Sequence, residues 1–275
     1  MARVRLNWQA VLEHAADVVR SYDTGVTLRQ LFYRLVSDGT LRNTQSQYNS
    51  LSANTAKARR EGWFPPLVDN TRQIHRVLHF DDTPDAIQWL TDIYRLNRTR
   101  GQDINIYIGV EKDGLTTLLR DWFEDYGVRV LALRGYSSQT FVDTIKRDVR
   151  LDGRYSILIY GGDYDPSGED IQRDFEKRTD CFDEIIRVAL TPEQVERYNL
   201  PEYPGKATDS RAKGFRKRHG KLVQVELDAL PPDVLKLLYE EEFFGYFDLE
   251  MWDTVVKDEE KDIEKLKQWS HYAKQ

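Results

Sequence analysis

The segment that decides the fold is Tyr155-Ser-Ile-Leu-Ile-Tyr-Gly-Gly-Asp163-Tyr-Asp165-Pro-Ser-Gly-Glu-Asp-Ile171. It opens with the apolar run SILIY, which is too short for a helix and rich in β-branched and aromatic residues, so it predicts a buried strand. Two glycines break this run, and Pro-Ser-Gly leads into a helix that we expect to begin near Glu169. Asp163 and Asp165 therefore follow the strand at its carboxyl end, where open parallel sheets bind ligands.

Two aspartates at this spacing suit a hard cation such as Mg²⁺, although a turn that caps the next helix gives the same pattern. A second buried strand, INIYIGV (104–110), ends at Glu111. Strands that alternate with helices of 10–15 residues predict an α/β fold with a parallel sheet and right-handed crossovers. Glu111 is therefore expected beside Asp163 and Asp165. Three carboxylates so close would repel one another unless a cation neutralised them, which predicts a metal site for Mg²⁺ or Mn²⁺.

The composition describes a soluble globular protein of 275 residues, 40% hydrophobic and 31% charged. No apolar run approaches the roughly 20 residues that span a bilayer, and the start has no signal-peptide core, so we expect a cytoplasmic protein without a membrane partner. The single cysteine, Cys181, excludes an internal disulfide and a cysteine-cluster zinc site. The net charge of −6 argues weakly against nucleic-acid binding, because residues 1–80 and 205–221 lean basic.

Residues 1–80 are predicted to form a helical domain. Apolar spacing predicts helices over 6–20, 28–39 and 44–62, followed by an extended segment. Three short helices with tight turns are typical of a helix-turn-helix or winged-helix DNA-binding module, while a generic helical bundle is the alternative. The third helix ends in basic residues that we expect to contact DNA: Lys57, Arg59 and Arg60.

Arg29 and Tyr33 share one face of the second predicted helix because they are four residues apart. A guanidinium beside a phenol lowers the pKa of the phenol and can also hold a phosphate next to the hydroxyl. This is the chemistry of a tyrosine that attacks a phosphodiester. By spacing alone, an amphipathic helix with a packed tyrosine and a solvated arginine is the better explanation of the pair.

The rest of the chain divides by composition into a connecting helix (81–101), a parallel-sheet domain (102–230) and C-terminal helices (231–275). A basic segment, 206–221, lies late in the sheet domain and reads either as a solvated loop or as a contact with a phosphate backbone. The cations that we assign to DNA binding in this segment are Arg211, Lys213, Arg216, Lys217 and Arg218.

A strand that ends in glutamate, followed about 50 residues later by a strand that ends in Asp-x-Asp, resembles the Toprim domain of topoisomerases, primases and certain nucleases. The fuller form DYDPSGEDI is similar to the A subunit of type IIB topoisomerase VI and to the related meiotic double-strand-break transesterase. That family also carries an Arg-x-x-aromatic-Tyr helix in an N-terminal winged-helix domain, which stands here as Arg29-Gln-Leu-Phe32-Tyr33. The resemblance covers most of residues 20–230.

The resemblance implies that Tyr33 is the nucleophile, that Arg29 stabilises the phosphoryl transition state, and that Glu111, Asp163 and Asp165 hold Mg²⁺. It also implies that Glu111 shuttles a proton, and that the protein is a homodimer in which the tyrosine of one protomer meets the Toprim site of the other. Double-stranded DNA would be the substrate.

The chain is shorter than a typical A subunit, and its sequence has no P-loop or other ATPase signature. Strand passage needs gating by ATP, so the alternatives are a separate ATPase subunit or a stand-alone cleaving enzyme. Toprim nucleases use the same acids and water, in which case Tyr33 would not be catalytic. A DNA-binding protein without catalytic activity is a third reading.

Overall fold

The fold begins with three helices, and it is known from a computed structural model that describes residues 6–22, 25–68 and 77–272. The helices are α1 (Trp8–Arg20), α2 (Leu28–Ser37) and α3 (Gln45–Arg60). A polar residue caps each of them, and at α2 Thr27 and Gln30 form a reciprocal capping box. The three predicted helices are therefore confirmed.

The segment after α3 returns to the start of α2. The amide of Val68 donates to the carbonyl of Val26 at 3.0 Å, and Thr27 and Val68 form an isolated parallel bridge. The predicted extended segment continues over 69–72, which lies outside the described residues. The helical part of the module is thus established, whereas its winged-helix form stays a prediction.

The centre of the molecule is a four-stranded sheet in which all neighbouring strands are parallel. Its strands are β1 (Ile104–Val110), β2 (Arg129–Ala132), β3 (Tyr155–Gly161) and β4 (Glu184–Ala189), in the order β2-β1-β3-β4. Between them run α5 (Asp113–Phe123), α6 (Gln139–Asp152) and α7 (Pro166–Thr179). The predicted α/β architecture is confirmed, and it is compatible with a Rossmann-like domain.

The two faces of the sheet are covered by different helices because β1 and β3 are apolar on both sides. On one face, Ile108 and Ile159 belong to a cluster that includes Leu119 of α5. On the other face, Leu158 and Tyr160 pack with side chains of α6 and α7. Burial on both faces leaves the carboxyl edge of the sheet as the place where polar groups gather.

Two segments of the C-terminal part show how the fold departs from local sequence pattern. The stretch LVQVELDAL (222–230) alternates as a strand would, but β6 covers only Val223–Gln224 and is followed by a 3₁₀ helix, Leu227–Ala229. The basic segment 206–221, for which a solvated loop was one of the two readings, contains a helix, Ala212–His219, because Ala212 and Phe215 give it an apolar side.

The remaining elements complete the described chain. They are α8 (Pro192–Arg197), the two-residue strand β5 (Tyr203–Pro204) that pairs antiparallel with β6, α9 (Ala212–His219), α10 (Pro232–Tyr246) and α11 (Leu249–Tyr272). Within the described ranges, every helix is either too short or too polar to cross a membrane.

The connecting helix is shorter than predicted. Helix α4 spans Thr83–Ile93, and the chain then runs without helix to the sheet. In that stretch the Leu96 amide donates to Glu259 Oε2 at 2.8 Å, and Arg98 forms an ion pair with Glu259 Oε1 at 2.7 Å. Glu259 is only 3% exposed. These contacts with α11 hold the non-helical end of the predicted connecting helix against the protein.

We predict that Glu259→Ala lowers the free energy of unfolding by about 3–5 kcal/mol, because it removes the buried carboxylate that pairs with Arg98 and leaves Arg98 with only the exposed Asp125 as an ion-pair partner. Urea denaturation measures the effect. Glu260→Ala is the matched control, since Glu260 is the exposed neighbour on the same helix, and it should change the free energy by less than about 0.5 kcal/mol. Equal effects of the two substitutions would contradict this account of α11 docking.

Candidate functional site

The strand ends place Glu111 and Asp163 side by side. Strands β1 and β3 pair in register along their whole length, up to Val110 opposite Gly161. The amide of Glu111 donates to the carbonyl of Gly161 at 2.9 Å, and the amide of Asp163 donates to Glu111 Oε2 at 2.9 Å. The structure thus brings together two of the three acids that the sequence assigned to a metal.

Two glycines of the GGDYDPSG segment make room for Glu111. A Cβ added to Gly162 would lie 3.0 Å from Glu111 Oε2, and a Cβ added to Gly168 would lie at the same distance from that oxygen. The Cβ at Gly168 would also overlap the carbonyl oxygen of Asp163. A side chain at position 162 or 168 would therefore press on the Glu111 carboxylate, so both positions require glycine.

Asp165 caps helix α7. Its Oδ1 accepts a hydrogen bond from the amide of Gly168 at 2.7 Å, which is the capping role that the sequence gave as the alternative to metal binding. Burial raises the pKa of Glu111, and the nearby charge of Asp165 acts in the same direction. Asp165 therefore influences Glu111 electrostatically while one of its oxygens serves the helix.

Asp163 is held from two sides. Its Oδ1 accepts from the amide of Leu227 at 2.7 Å and lies 3.2 Å from Lys112 Nζ. Burial raises the pKa of Asp163 to about 7, and the neighbouring carboxylates of Glu111 and Glu226 add to this rise. We call the three carboxyl groups at this end of the sheet, those of Glu111, Asp163 and Asp165, the acidic edge. Together they carry more negative charge than their buried surroundings favour.

The three predicted ligands do not form one ligand set in this arrangement. Among the described residues, no three acidic, histidine or cysteine side chains are placed to bind one metal ion. The physical reason is that Asp165 caps α7 and Asp163 Oδ1 is engaged by Leu227 and Lys112. Mg²⁺ in enzymes commonly takes only one or two carboxylates, with water and phosphate oxygens completing its shell. The hard oxygen donors of Glu111 and Asp163 suit that mode.

A charge network that the sequence did not reveal lies beside these acids. Lys112 Nζ is paired with Glu226, with Asp228 at 3.3 Å and with Asp163 at 3.2 Å. Arg29 pairs with Glu226 at 2.8 Å and with Asp228 at 3.0 Å. We call these five residues the ion network. Through it, helix α2 is connected to the carboxyl edge of the sheet.

Two sequence signals could have pointed to the network. Lys112 follows Glu111 directly, and Glu226 and Asp228 stand two residues apart within an otherwise apolar stretch. That stretch alternates between apolar and polar residues as a strand would. Instead, the 3₁₀ helix turns Glu226 and Asp228 toward the cations.

Arg29 and Tyr33 share a face of α2 as predicted, with the guanidinium carbon 5.8 Å from the centre of the Tyr33 ring. The predicted lowering of the phenol pKa is wrong. Burial raises the pKa of Tyr33, and the charge of Glu226 adds to the rise, while Arg29 opposes it. The reason is that Tyr33 is only 8% exposed and the charge of Arg29 is balanced by Glu226 and Asp228.

Two adjoining clefts surround this region. The larger, about 760 Å³, lies between α2, α3 and the carboxyl edge of the sheet; the smaller, about 200 Å³, contains Tyr33. Both share Arg29 and Tyr48 as lining residues. The charged side chains that line the larger cleft are Arg29, Arg59, Glu111, Lys112, Asp113, Arg134 and Asp228. A phosphate in this cleft would therefore meet several cations beside the acids.

The basic residues of α3 differ in their surroundings. Arg59 lines the larger cleft and donates to the carbonyl of Thr55. Lys57 lies 3.8 Å from Glu61 on the surface, and Arg60 is exposed. Of the three predicted DNA contacts on this helix, Arg59 is the one that lines the same cleft as Glu111.

The basic residues around α9 fall into two groups. Arg211 and Arg218 are committed to carboxylates, Arg211 to Asp209 at 2.8 Å and Arg218 to Glu169 at 2.5 Å. The other three cations are exposed and have no ion pair with any described residue: Lys213, Arg216 and Lys217. Only this second group presents free positive charge to a partner.

Comparison with known proteins adds no relative. The sequence matches no protein-family model and no curated protein. The assignment of a function therefore depends on the residues themselves and on how the fold arranges them.

We predict that Gly168→Ala destabilises the protein by about 1–3 kcal/mol, because the added methyl group would overlap the carbonyl of Asp163 and press on Glu111. Thermal and urea unfolding measure it. Gly245→Ala is the matched control, since Gly245 lies inside α10 with open space around an added Cβ, and it should stabilise by up to about 1 kcal/mol. Destabilisation by both, or by neither, would contradict the proposed packing at Gly168.

We also predict that Lys112→Met lowers the free energy of unfolding by about 3–5 kcal/mol at pH 7, because it removes the ion pair of buried Asp163 and leaves Glu226 and Asp228 with Arg29 as their cation. The pKa of Glu226 is lowered in the folded protein, so its stabilising contribution exists above its usual value of 4.5 and disappears as the pH falls through the lowered pKa. The difference between wild type and variant should therefore shrink in acid.

The control for Lys112→Met is Lys257→Met, which removes an exposed, ion-paired lysine from α11. It should leave the free energy of unfolding nearly unchanged. A Lys112→Met variant as stable as this control at pH 7 would show that the ion network does not hold the two parts of the fold together.

Proposed function

We propose that the protein cleaves DNA by transesterification, with Tyr33 forming a 5′-phosphotyrosyl link in a reaction that depends on Mg²⁺ or Mn²⁺. The observation that carries the proposal is the ion network, in which Arg29 of the tyrosine helix and Asp163 of the acidic edge are joined through Lys112, Glu226 and Asp228. The resemblance to the topoisomerase VI A subunit predicted these two halves from separate motifs, and the ion network now connects them.

In the proposed reaction the Tyr33 oxygen bonds to the phosphorus and the bond from phosphorus to the 3′ oxygen breaks. The phenol proton must leave, and the 3′ oxygen must gain a proton. Because burial raises the pKa of Tyr33, the phenol is protonated at neutral pH and needs a base. We assign proton transfer to Glu111 and charge stabilisation on the phosphate to Arg29.

A divalent cation held by Glu111 and Asp163, with Asp165 as a further acidic neighbour, would polarise the phosphate and stabilise the departing oxygen. The chain's own contribution is to keep these acids adjacent through the register of β1 and β3. Arg29 must exchange a carboxylate partner for the phosphate, which Glu226 and Asp228 permit because they can still pair with Lys112.

Double-stranded DNA is the proposed substrate. Exposed Lys57, Arg60, Lys213, Arg216 and Lys217 would neutralise backbone phosphates, and Arg59 would do so inside the larger cleft. Arg211 and Arg218 are weaker candidates because they are already paired. The proposal includes a homodimer, and a separate ATPase subunit if the enzyme passes one duplex through another. The resemblance implies that the tyrosine of one protomer meets the acids of the other, whereas the ion network brings the Tyr33 helix to the acids of its own chain, and the proposal follows the ion network.

Hydrolysis by water is the second candidate. The observation in its favour is the low exposure and raised pKa of Tyr33, since both make the phenol a poorer nucleophile. The same acids would then activate water, and Tyr33 would contact DNA or pack in the helical domain.

The test is to incubate the protein with supercoiled DNA and Mg²⁺ or Mn²⁺, to stop the reaction with detergent and to look for protein-linked 5′ ends. We predict adducts with wild type, none with Tyr33→Phe, and adducts again with Tyr22→Phe. Tyr22 is a half-buried tyrosine of the same helical region, so it controls for the loss of a phenol.

Two other outcomes would contradict transesterification. Free ends made equally well by Tyr33→Phe would indicate hydrolysis by water. DNA binding without cleavage in the presence of either metal would indicate a DNA-binding protein without catalytic activity. Glu111→Gln should abolish cleavage in both enzymatic cases, so cleavage by that variant would show that the acidic edge is not the reaction site.

A further inference from the structure

A buried hydroxyl without a partner lies next to the acidic edge. Tyr160 of β3 is 0% exposed, and its hydroxyl has no hydrogen-bond partner among the described residues. Buried polar groups in folded proteins are paired in the great majority of cases. An unpaired phenol in the centre of the sheet domain therefore requires an explanation.

The hydroxyl faces the same space as Glu111. A Cβ added to Gly162 would lie 2.6 Å from the Tyr160 hydroxyl oxygen and 3.0 Å from Glu111 Oε2. The Tyr160 ring is further fixed by Arg187, whose guanidinium carbon lies 5.7 Å from the ring centre and whose Nη2 donates to the carbonyl of Asp163. The phenol hydroxyl thus lies close to the Glu111 carboxylate, with Gly162 beside both groups and Arg187 over the ring.

The hydroxyl belongs to a phenol that is fully buried and has no hydrogen-bond partner among the described residues. A protonated phenol can donate one hydrogen bond and accept others. Such a group suits a water molecule that carries both hydrogens and lone pairs, as the water ligands of a hydrated Mg²⁺ do.

We propose that Tyr160 is a positioning residue of the acidic site, its hydroxyl binding a water of the hydrated divalent cation that Glu111 and Asp163 hold. The inference rests on the proposed cation and adds a residue that no sequence motif indicated. It also explains the unpaired hydroxyl, because this group lacks a hydrogen-bond partner in the protein alone and gains one when the cation and its water bind.

This role has a signature that a purely structural role lacks. Removing the hydroxyl deletes an unsatisfied buried group, so metal-free Tyr160→Phe should unfold at the same temperature as wild type or higher. The same change removes an outer partner of the cation, and such partners commonly account for about 10- to 100-fold in metal affinity. Stability and affinity should therefore move in opposite directions.

The experiment measures Mn²⁺ binding to the full chain by isothermal titration calorimetry and by electron paramagnetic resonance, with thermal unfolding of the metal-free proteins alongside. We expect wild type to bind Mn²⁺, Glu111→Gln to lose binding, and Tyr160→Phe to bind about 10- to 100-fold more weakly. Tyr164→Phe is the matched control. Tyr164 is another buried tyrosine with an unpaired hydroxyl, and its ring packs on Phe215 and His219.

The outcomes separate the two proposals. Wild type that binds no Mn²⁺, or binds it equally after Glu111→Gln, overturns the proposed cation site and with it the role of Tyr160. Wild-type affinity in Tyr160→Phe, with the Glu111 dependence intact, overturns the role of Tyr160 alone. Equal weakening by Tyr160→Phe and Tyr164→Phe, or a lower unfolding temperature of Tyr160→Phe, also overturns it.

Discussion

The ammonium group of Lys112 lies among the carboxylates of Asp163, Glu226 and Asp228, and the fold depends on this contact because none of these groups is well solvated. Buried charges are tolerated only where opposite charges compensate them. Arg29 contributes the second cation from a different part of the chain. The requirement for compensation therefore fixes how helix α2 meets the sheet, and it places a tyrosine helix beside a pair of acids.

The sheet supplies the other constraint. Parallel pairing of β1 and β3 in full register brings the residues after both strands to one edge of the sheet. The pairing of these two strands is therefore sufficient to place Glu111 next to Asp163. Gly162 and Gly168 then leave the space that the Glu111 carboxylate occupies. The hydroxyl of Tyr160 lies near the same carboxylate, beside Gly162, and lacks a hydrogen-bond partner among the described residues. Each of these features belongs to the end of β3, to the segment that follows it, or to Glu111 at the end of β1.

Much of this arrangement could be predicted from the sequence because it follows from local patterns. The strands before Glu111 and Asp163 are apolar runs, the helices have caps, and alternation of the two implies a parallel sheet. The ion network could not be predicted, since Lys112, Glu226 and Arg29 are far apart in the chain and only the fold shows that they pair. The predicted direction of the Tyr33 pKa shift was wrong for the same reason, because the prediction considered Arg29 without its carboxylate partners. The helix at Ala212–His219 was hidden by its many charges, which outweighed two buried apolar residues.

The central claim is that the tyrosine helix and the acidic edge form one unit through the ion network. A double-mutant cycle on Arg29→Gln and Asp228→Asn, measured by urea unfolding at pH 7 and low salt, tests it most directly. The two groups lie 3.0 Å apart, so we predict a coupling free energy of about 0.5–3 kcal/mol. Single effects that add to within about 0.3 kcal/mol would show that the two parts of the fold are not coupled through this contact.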